Sequence, residues 1–184
     1  MQFYARYRDE VIAAPAAIAE HVACAREQVS PAFRRLFDGV LVEAHERLLA
    51  APDDLVAKVR FITIYHLILE STLGLTSFRF VTAHLEREQL LSGFVDGYSK
   101  IHHDETRHIG YGVWFLRETA RDSSAAAETI RATLAELLPS VAESLSPPDG
   151  DGETDWETLG ASASEIRDFA LDGLTRRLKI IGIG

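Results

Sequence analysis

Cysteine is almost absent from this chain, with Cys24 the single example among 184 residues. One cysteine excludes an intrachain disulfide and a thiolate metal cluster. It is typical of a protein that stays in a reducing compartment. The first eight residues, Met1-Gln-Phe-Tyr-Ala-Arg-Tyr-Arg8, mix charge with aromatic rings and lack the apolar core of a signal peptide. The sequence therefore predicts a cytoplasmic location.

Positive charge is scarce as well, since 19 lysines and arginines face 28 acidic residues for a net charge of −9. Nucleic-acid binding depends on a basic surface, and no basic stripe is present to supply one. We also expect no membrane span, because no apolar stretch looks long enough to cross a bilayer. Apolar residues make up 47% and charged residues 26% of the chain, which is ordinary for one globular domain over residues 1–184.

Proline and glycine are few and lie between the periodic segments, and no strand-like alternation is seen. The spacing of apolar residues predicts an all-α bundle. Ser30 before Pro31, and Ser123 or Ser124 before an alanine-rich run, have the residue types of helix starts. The clear loop is the polar segment 146–154. Helices are predicted at 1–14, 16–29, 31–50, 53–83, 86–120, 123–145 and 162–180.

Glu70 stands in the middle of a segment, 61–75, that is apolar nearly all round and should form a buried central helix. A buried carboxylate must be protonated, paired with a cation or bound to a metal. His66 lies four residues earlier and can share its face, where a hydrogen bond to Glu70 is a better expectation than metal ligation. Glu70 is the first candidate ligand.

The next predicted helix contains Glu105-x-x-His108, whose two side chains lie on one face, one turn apart. In ferritin-like di-metal proteins, two helices each give one Glu and two others each give Glu-x-x-His. Carboxylates and imidazole suit iron or manganese. A zinc-protease pair is excluded, because His103 and His108 are five residues apart rather than four.

Two segments, Glu70-Ser-Thr-Leu-Gly-Leu-Thr76 and Asp104-Glu-Thr-Arg-His-Ile-Gly-Tyr-Gly112, resemble the R2-like ligand-binding oxidases, relatives of the ribonucleotide reductase small subunit. The resemblance is strongest over 59–118 and loose near the C-terminus. It implies a ferritin-like helical bundle of the ribonucleotide reductase R2 type.

The resemblance also implies a manganese/iron pair, or two irons, that activates dioxygen, and a long-chain fatty-acid-like ligand beside the metals. Carried over, the metal ligands are Glu70, Glu105 and His108. Tyr65 corresponds to a phenol that the family cross-links to a valine. Asp104 would accept a hydrogen bond from a ligating histidine on a neighbouring helix. A homodimer is expected.

Half of the family's ligand set has no counterpart, because His108 alone among the seven histidines has a Glu three residues earlier. The sequence looks as if it begins just after the other Glu-x-x-His, which would also remove the cross-linked valine. One explanation is a longer protein, of which this is the C-terminal two-thirds. The other is that two copies pair and each supplies half of the site. We favour the first, because an open half-site would leave an apolar patch.

Three alternatives stay open. Tyr65 can be a packed aromatic whose hydroxyl bonds a carbonyl. The chain can be a ribonucleotide reductase small subunit, although it ends at Gly184 without the tail by which such subunits dock. It can also be a metal-free helical scaffold, which metal analysis would distinguish from an oxidase.

Overall fold

The computed structural model describes residues 23–147 and 157–183, and it is helical nearly throughout these ranges. Residues 23–28 are helical, and five longer helices follow. The first, α1, consists of the consecutive segments Pro31–Arg34, Arg35–Val40 and Leu41–Ala50. The second, α2, runs over Leu55–Arg87. The others are α3 (Ser92–Asp122), α4 (Ser124–Ser144) and α5 (Ala163–Ile181).

The helix α2 is wound in two ways. Its ends, Leu55–Ile62 and Leu75–Arg87, are α-helical, whereas the twelve residues Thr63–Gly74 form a π-helix. A shorter π-helical segment, Arg35–Val40, lies in α1. π-Helical turns are rare and occur often at functional sites. The wide segment of α2 contains both Tyr65 and Glu70.

The core forms around α2, whose π-helical segment packs against α3, α4 and α5. Leu67 and Ile68 of this segment are buried against residues such as Leu116 of α3 and Ile130 of α4. Burial of several such side chains, each contributing about 1.5–3 kcal/mol, stabilises the packing of these helices. The prediction of a buried central helix around Glu70 is confirmed.

The expectation that no segment is long enough to span a membrane is wrong for α2. Leu55–Arg87 satisfies the length and composition criteria for a membrane-spanning helix. Half of its most apolar stretch is buried inside the described part of the chain. Membrane-spanning helices and the central helices of bundles can have the same length and composition. The burial of α2 agrees with a central helix of a bundle.

Most of the predicted helices that lie within 23–147 and 157–183 are confirmed to within two residues, and 31–50 matches at both ends. Ser30 and Ser123 cap α1 and α4 as expected, by accepting hydrogen bonds from the amides of Phe33 and Ala126. The predicted helix 1–14, most of the predicted helix 16–29 and most of the loop 146–154 lie outside the described residues.

Two expectations about helix breaks are wrong. The fourth predicted helix runs to Arg87 rather than 83, and the fifth begins at Ser92 rather than 86. Gln89 and Leu91 have positive φ angles of 56° and 49°, so the chain reverses between α2 and α3 without glycine or proline. Pro139, in contrast, does not end a helix but lies inside α4, on its exposed side. Proline cannot donate a hydrogen bond to the carbonyl four residues earlier, and on this side water can do so instead.

A short antiparallel hairpin precedes α5, with Glu157–Thr158 paired to Ala161–Ser162, whereas the sequence predicted no strand. Leu159 and Gly160 make its turn with positive φ angles. Two residues a strand are too few for alternation to be read from sequence. Ser162 then begins α5 in a capping box with Glu165.

Candidate metal centre

Glu70 extends from the π-helical segment of α2, and 10% of its side chain is exposed. Its Oε2 lies 2.5 Å from Nδ1 of His66, which is four residues earlier. The predicted hydrogen bond between these two side chains is therefore confirmed. Burial raises the pKa of Glu70, the bond to His66 lowers it in part, and the charge of Glu105 raises it further. The pKa of Glu70 is raised overall, so its neighbours do not fully offset the cost of burying its negative charge.

Glu105 and His108 approach Glu70 from α3. Nδ1 of His108 lies 3.5 Å from Oε2 of Glu105 and 3.8 Å from Oε1 of Glu70. Oε2 of Glu105 is buried and has no hydrogen-bond partner among the described residues. A buried carboxylate oxygen without a donor is unfavourable, and a cation would satisfy it.

The three side chains meet as the sequence predicted. One ligand atom from each of Glu70, Glu105 and His108 can be chosen so that all three lie within 4.8 Å of one another. Two carboxylates and one imidazole suit manganese or iron. This donor set, together with the unpartnered oxygen of Glu105, fits a divalent cation. Three ligands are half of the set that a ferritin-like di-metal site uses.

Gly112 allows α3 to approach α2 at this site. A Cβ atom at this position would lie 2.8 Å from Cγ of His66 and closer still to its Cβ, so no larger residue fits. The glycine therefore positions the imidazole that bonds Glu70. This contact could not be predicted from the sequence, because neither residue of a pair between two helices reveals the other.

Tyr65 lines a cavity of about 250 Å³ together with Glu70 and Glu105. The rest of the lining is mainly apolar and comes from α1, α2 and α3, with Phe37, Leu41, Leu69, Gly74 and Phe78. Burial, followed by the charge of Glu70, raises the pKa of Tyr65, so the phenol is neutral at physiological pH. The contribution of α1 to this cavity was missed in the sequence, because Phe37 and Leu41 carry no polar signal.

Asp104 is exposed and pairs with Arg107 on the same helix. The histidine that it was predicted to orient belongs to a further helix, and among the described residues Asp104 has Arg107 as its partner. The predicted orienting role therefore stays a prediction. His102 and His103 are exposed as well.

The fold is that of the R2-like ligand-binding oxidases. A valine-to-alanine variant of such an oxidase, with anaerobically reconstituted Mn/Fe cofactor, matches with a TM-score of 0.72 and 24% identity over 85% of this chain and 54% of that one. A tyrosine-to-phenylalanine variant with the same cofactor, also reconstituted anaerobically, matches with a TM-score of 0.74 and 22% identity, over 85% and 56%. The predicted all-α, ferritin-like fold of the R2 type is confirmed.

The chain spans 54–56% of the length of these matched oxidases. No protein-family model and no curated protein sequence matches it. The structural match therefore establishes the fold, and what the site does is inferred from its own residues.

Proposed function

We propose that this chain is a di-metal carboxylate oxidase that uses dioxygen. The observation that carries the proposal is the convergence of Glu70, Glu105 and His108, whose ligand atoms lie within 4.8 Å of one another beside an apolar cavity. The structural neighbours, which hold a Mn/Fe cofactor, support it. The metals proposed are manganese and iron, or two irons.

The bound metals supply the activation of dioxygen, and Glu70, Glu105 and His108 would hold them. His66 fixes the Glu70 carboxylate through its 2.5 Å hydrogen bond, so this ligand is oriented before a metal arrives. Glu105 contributes a buried oxygen that a cation would satisfy, since this oxygen accepts no hydrogen bond in the described part of the chain. The chain thus pre-organises its ligands, which lowers the cost of binding.

The cavity beside the ligands is the proposed binding site for a long-chain, fatty-acid-like molecule. Its apolar lining would bury methylene groups, each contributing about 0.8 kcal/mol. A ligand that filled the cavity would keep water from the carboxylates. Tyr65 presents its neutral phenol to this space and is the residue proposed to donate a hydrogen atom or to be oxidised there.

Metal analysis tests the proposal most directly. The purified chain is loaded with Mn(II) and Fe(II) without oxygen, dialysed, analysed for bound metal and then exposed to air while oxygen uptake is followed. We expect bound metal in the wild type, and a loss of at least tenfold in affinity for His108→Ala and Glu105→Gln. Glu128→Gln, which alters an exposed carboxylate on α4, is the matched control and should bind normally.

A wild-type chain that binds no metal would overturn the oxidase proposal and favour the helical scaffold. Oxygen uptake that needs both metal and Tyr65 would support it further, and Tyr65→Phe separates the phenol from the ligands. A reducing cytoplasm is the proposed location, because Cys24 is the single cysteine.

A further inference from the structure

A row of four aromatic rings connects Tyr65, beside the candidate metal centre, with Trp114 on α3. The ring centroids of Tyr65 and His66 are 5.0 Å apart, those of His66 and Tyr111 are 6.0 Å apart, and those of Tyr111 and Trp114 are 5.9 Å apart. These distances are typical of packed aromatic pairs. The row therefore crosses from α2 to α3 at the imidazole of His66 without a break.

Two features of the sequence place these rings in a row. Tyr111 and Trp114 are three residues apart, so they lie on one face of α3, one turn apart. Gly112, next to Tyr111, has no side chain to hold α2 away, and the imidazole of His66 lies against its backbone. This close approach brings His66 within contact of Tyr111.

The residue types in the row are those that can pass an electron along. The phenol of tyrosine and the indole of tryptophan can each lose an electron and a proton to form a neutral radical. Phenylalanine does not do so under the same conditions. The contact between Phe80 and Phe169, which joins α2 to α5, consists of two such resistant rings and serves packing alone. The row from Tyr65 to Trp114 has an oxidisable side chain at each end and a third, Tyr111, between them.

We propose that Tyr111 and Trp114 return an electron to Tyr65 after Tyr65 has been oxidised, and so protect the metal centre when no substrate reacts there. The inference rests on the proposed use of dioxygen, which is the oxidant. It adds a path for electrons between the site and Trp114.

The electrons and protons balance at each step. Tyr65 first loses one electron and its phenolic proton to dioxygen, the oxidant of the proposed reaction. Its radical then takes one electron from Tyr111 across His66 and one proton from water. Tyr111, which is 52% exposed in the described part of the chain, releases its own phenolic proton to water.

Trp114 restores Tyr111 in the same way and loses its Nε1 proton. Trp114 is 51% exposed in the described part of the chain, so a small reductant can reach its ring. A thiol in solution returns one hydrogen atom to the indole and becomes the oxidised product. The sequence of steps thus ends with every aromatic residue restored.

Pulse radiolysis of the metal-free chain in azide solution tests the path without the metal centre. The azide radical takes an electron from accessible indole rings. Trp156→Phe is introduced into every protein, so that Trp114 alone gives the indole signal. We expect the indole radical to decay as a tyrosine radical grows, at a rate independent of protein concentration. Tyr111→Phe, which keeps the ring and removes the phenol, should abolish this fast conversion.

Tyr98→Phe is the matched control on α3. The ring of Tyr98 contacts Phe78 and Phe94, and these rings belong to a separate group. The control should convert as fast as the parent protein. Tyr65→Phe tests the other end of the path. The indole radical should still decay quickly, but the electron paramagnetic resonance spectrum of the final tyrosine radical should change, because the orientation of each ring sets its splittings.

The metal-loaded chain gives a second readout that does not depend on turnover. After exposure to air without thiol, peptide mass spectrometry should find oxygen added at Trp114. Tyr111→Phe should lower the yield of this product while the metal content stays at the wild-type level. Added thiol should lower the yield as well, because it restores the indole first.

Two results would overturn the path. One is an indole radical that converts equally fast in Tyr111→Phe, and the other is a final radical whose spectrum is unchanged in Tyr65→Phe. Bound metal without any conversion would keep the oxidase proposal and overturn the path. A chain that shows the conversion but binds no metal would overturn the oxidase proposal and leave the electron path supported.

Discussion

The helix α2 takes part in two contacts between a carboxylate and a basic side chain, one near its start and one near its middle. The two carboxylates differ in burial and in the direction of their pKa shifts. Near the start, Arg60 forms two hydrogen bonds of 2.8 and 2.9 Å to both oxygens of Glu136 on α4. This bond lowers the pKa of Glu136. Near the middle, Glu70 is largely buried and has His66 and a second carboxylate, Glu105, as neighbours, and its pKa is raised.

The difference separates a contact that holds helices together from one that awaits a ligand. Glu136 is half exposed and fully paired, so its charge is favourable in the protein alone. Glu70 is largely buried, and its charge becomes favourable when a cation arrives. Opposite pKa shifts of two carboxylates in contact with one helix are what a structural pair and a binding site would show.

The largest expected effect comes from removing the space that His66 occupies. Gly112→Ala places a Cβ against the imidazole and should destabilise the chain by about 1–3 kcal/mol, the usual range for overpacking. The displaced His66 would also leave Glu70 without its bond, so metal affinity should fall. Thermal unfolding and metal titration measure the two effects.

Gly110→Ala is the matched control on the same helix, because its Cβ meets open space. It should stabilise the chain by about 0.5–1 kcal/mol, since alanine loses less freedom than glycine in a helix. Equal behaviour of the two variants would mean that the contact between Gly112 and His66 has no role.

The second prediction concerns Glu70 itself. In metal-free protein at neutral pH, Glu70→Gln should raise the free energy of unfolding by on the order of 1 kcal/mol, because it removes an under-compensated buried charge. The folded pKa is raised above the unfolded value of about 4.5, so the gain should vanish below that pH and grow as the pH rises through the folded pKa. Saturating Mn(II) should reverse the order of the two proteins. Denaturant unfolding at several pH values, with and without metal, is the measurement.

The smallest effect is expected at the contact between Arg60 and Glu136, where the substitution should lower stability rather than raise it as at Glu70. Glu136→Gln should lower stability at pH 7 by about 0.2–1 kcal/mol, the range for pairs that are partly exposed. Since the folded pKa of Glu136 is lowered, the stabilisation is complete above about pH 4.5 and is lost as the pH falls through the folded pKa. Added metal should not change this difference. A response to metal would show that the two regions are coupled.

The features that could be predicted from the sequence are those that depend on residues close together in the chain. Helix α1 was located by Ser30, Pro31 and the apolar spacing that follows. Glu105 and His108 were found because a spacing of three defines one helix face. Glu70 was noticed as a carboxylate within an apolar segment, and the resemblance placed the two helices in one fold.

The features that escaped prediction depend on contacts between distant residues or on backbone conformation. Glu88-Gln-Leu-Leu91 consists of residues that favour helices, yet Gln89 and Leu91 take positive φ angles where the chain reverses. The closeness of Gly112 to His66 depends on how α2 and α3 cross. The cavity wall from α1 depends on the packing of a third helix. The Glu105 oxygen that accepts no hydrogen bond among the described residues depends on the three-dimensional arrangement as well.

The winding of Thr63–Gly74 has a consequence for how this region tolerates insertions and deletions. In an α-helix, residues five apart point about 140° away from each other, because successive residues turn by about 100°. In a π-helix, which bonds each residue to the fifth one along, residues five apart point much more nearly in the same direction. Tyr65 and Glu70 are five apart and face the same cavity. A one-residue deletion within 71–73 that restored ordinary winding throughout Thr63–Gly74 would keep Tyr65 and Glu70 five apart and turn the phenol out of the cavity, while leaving every side chain of the site intact.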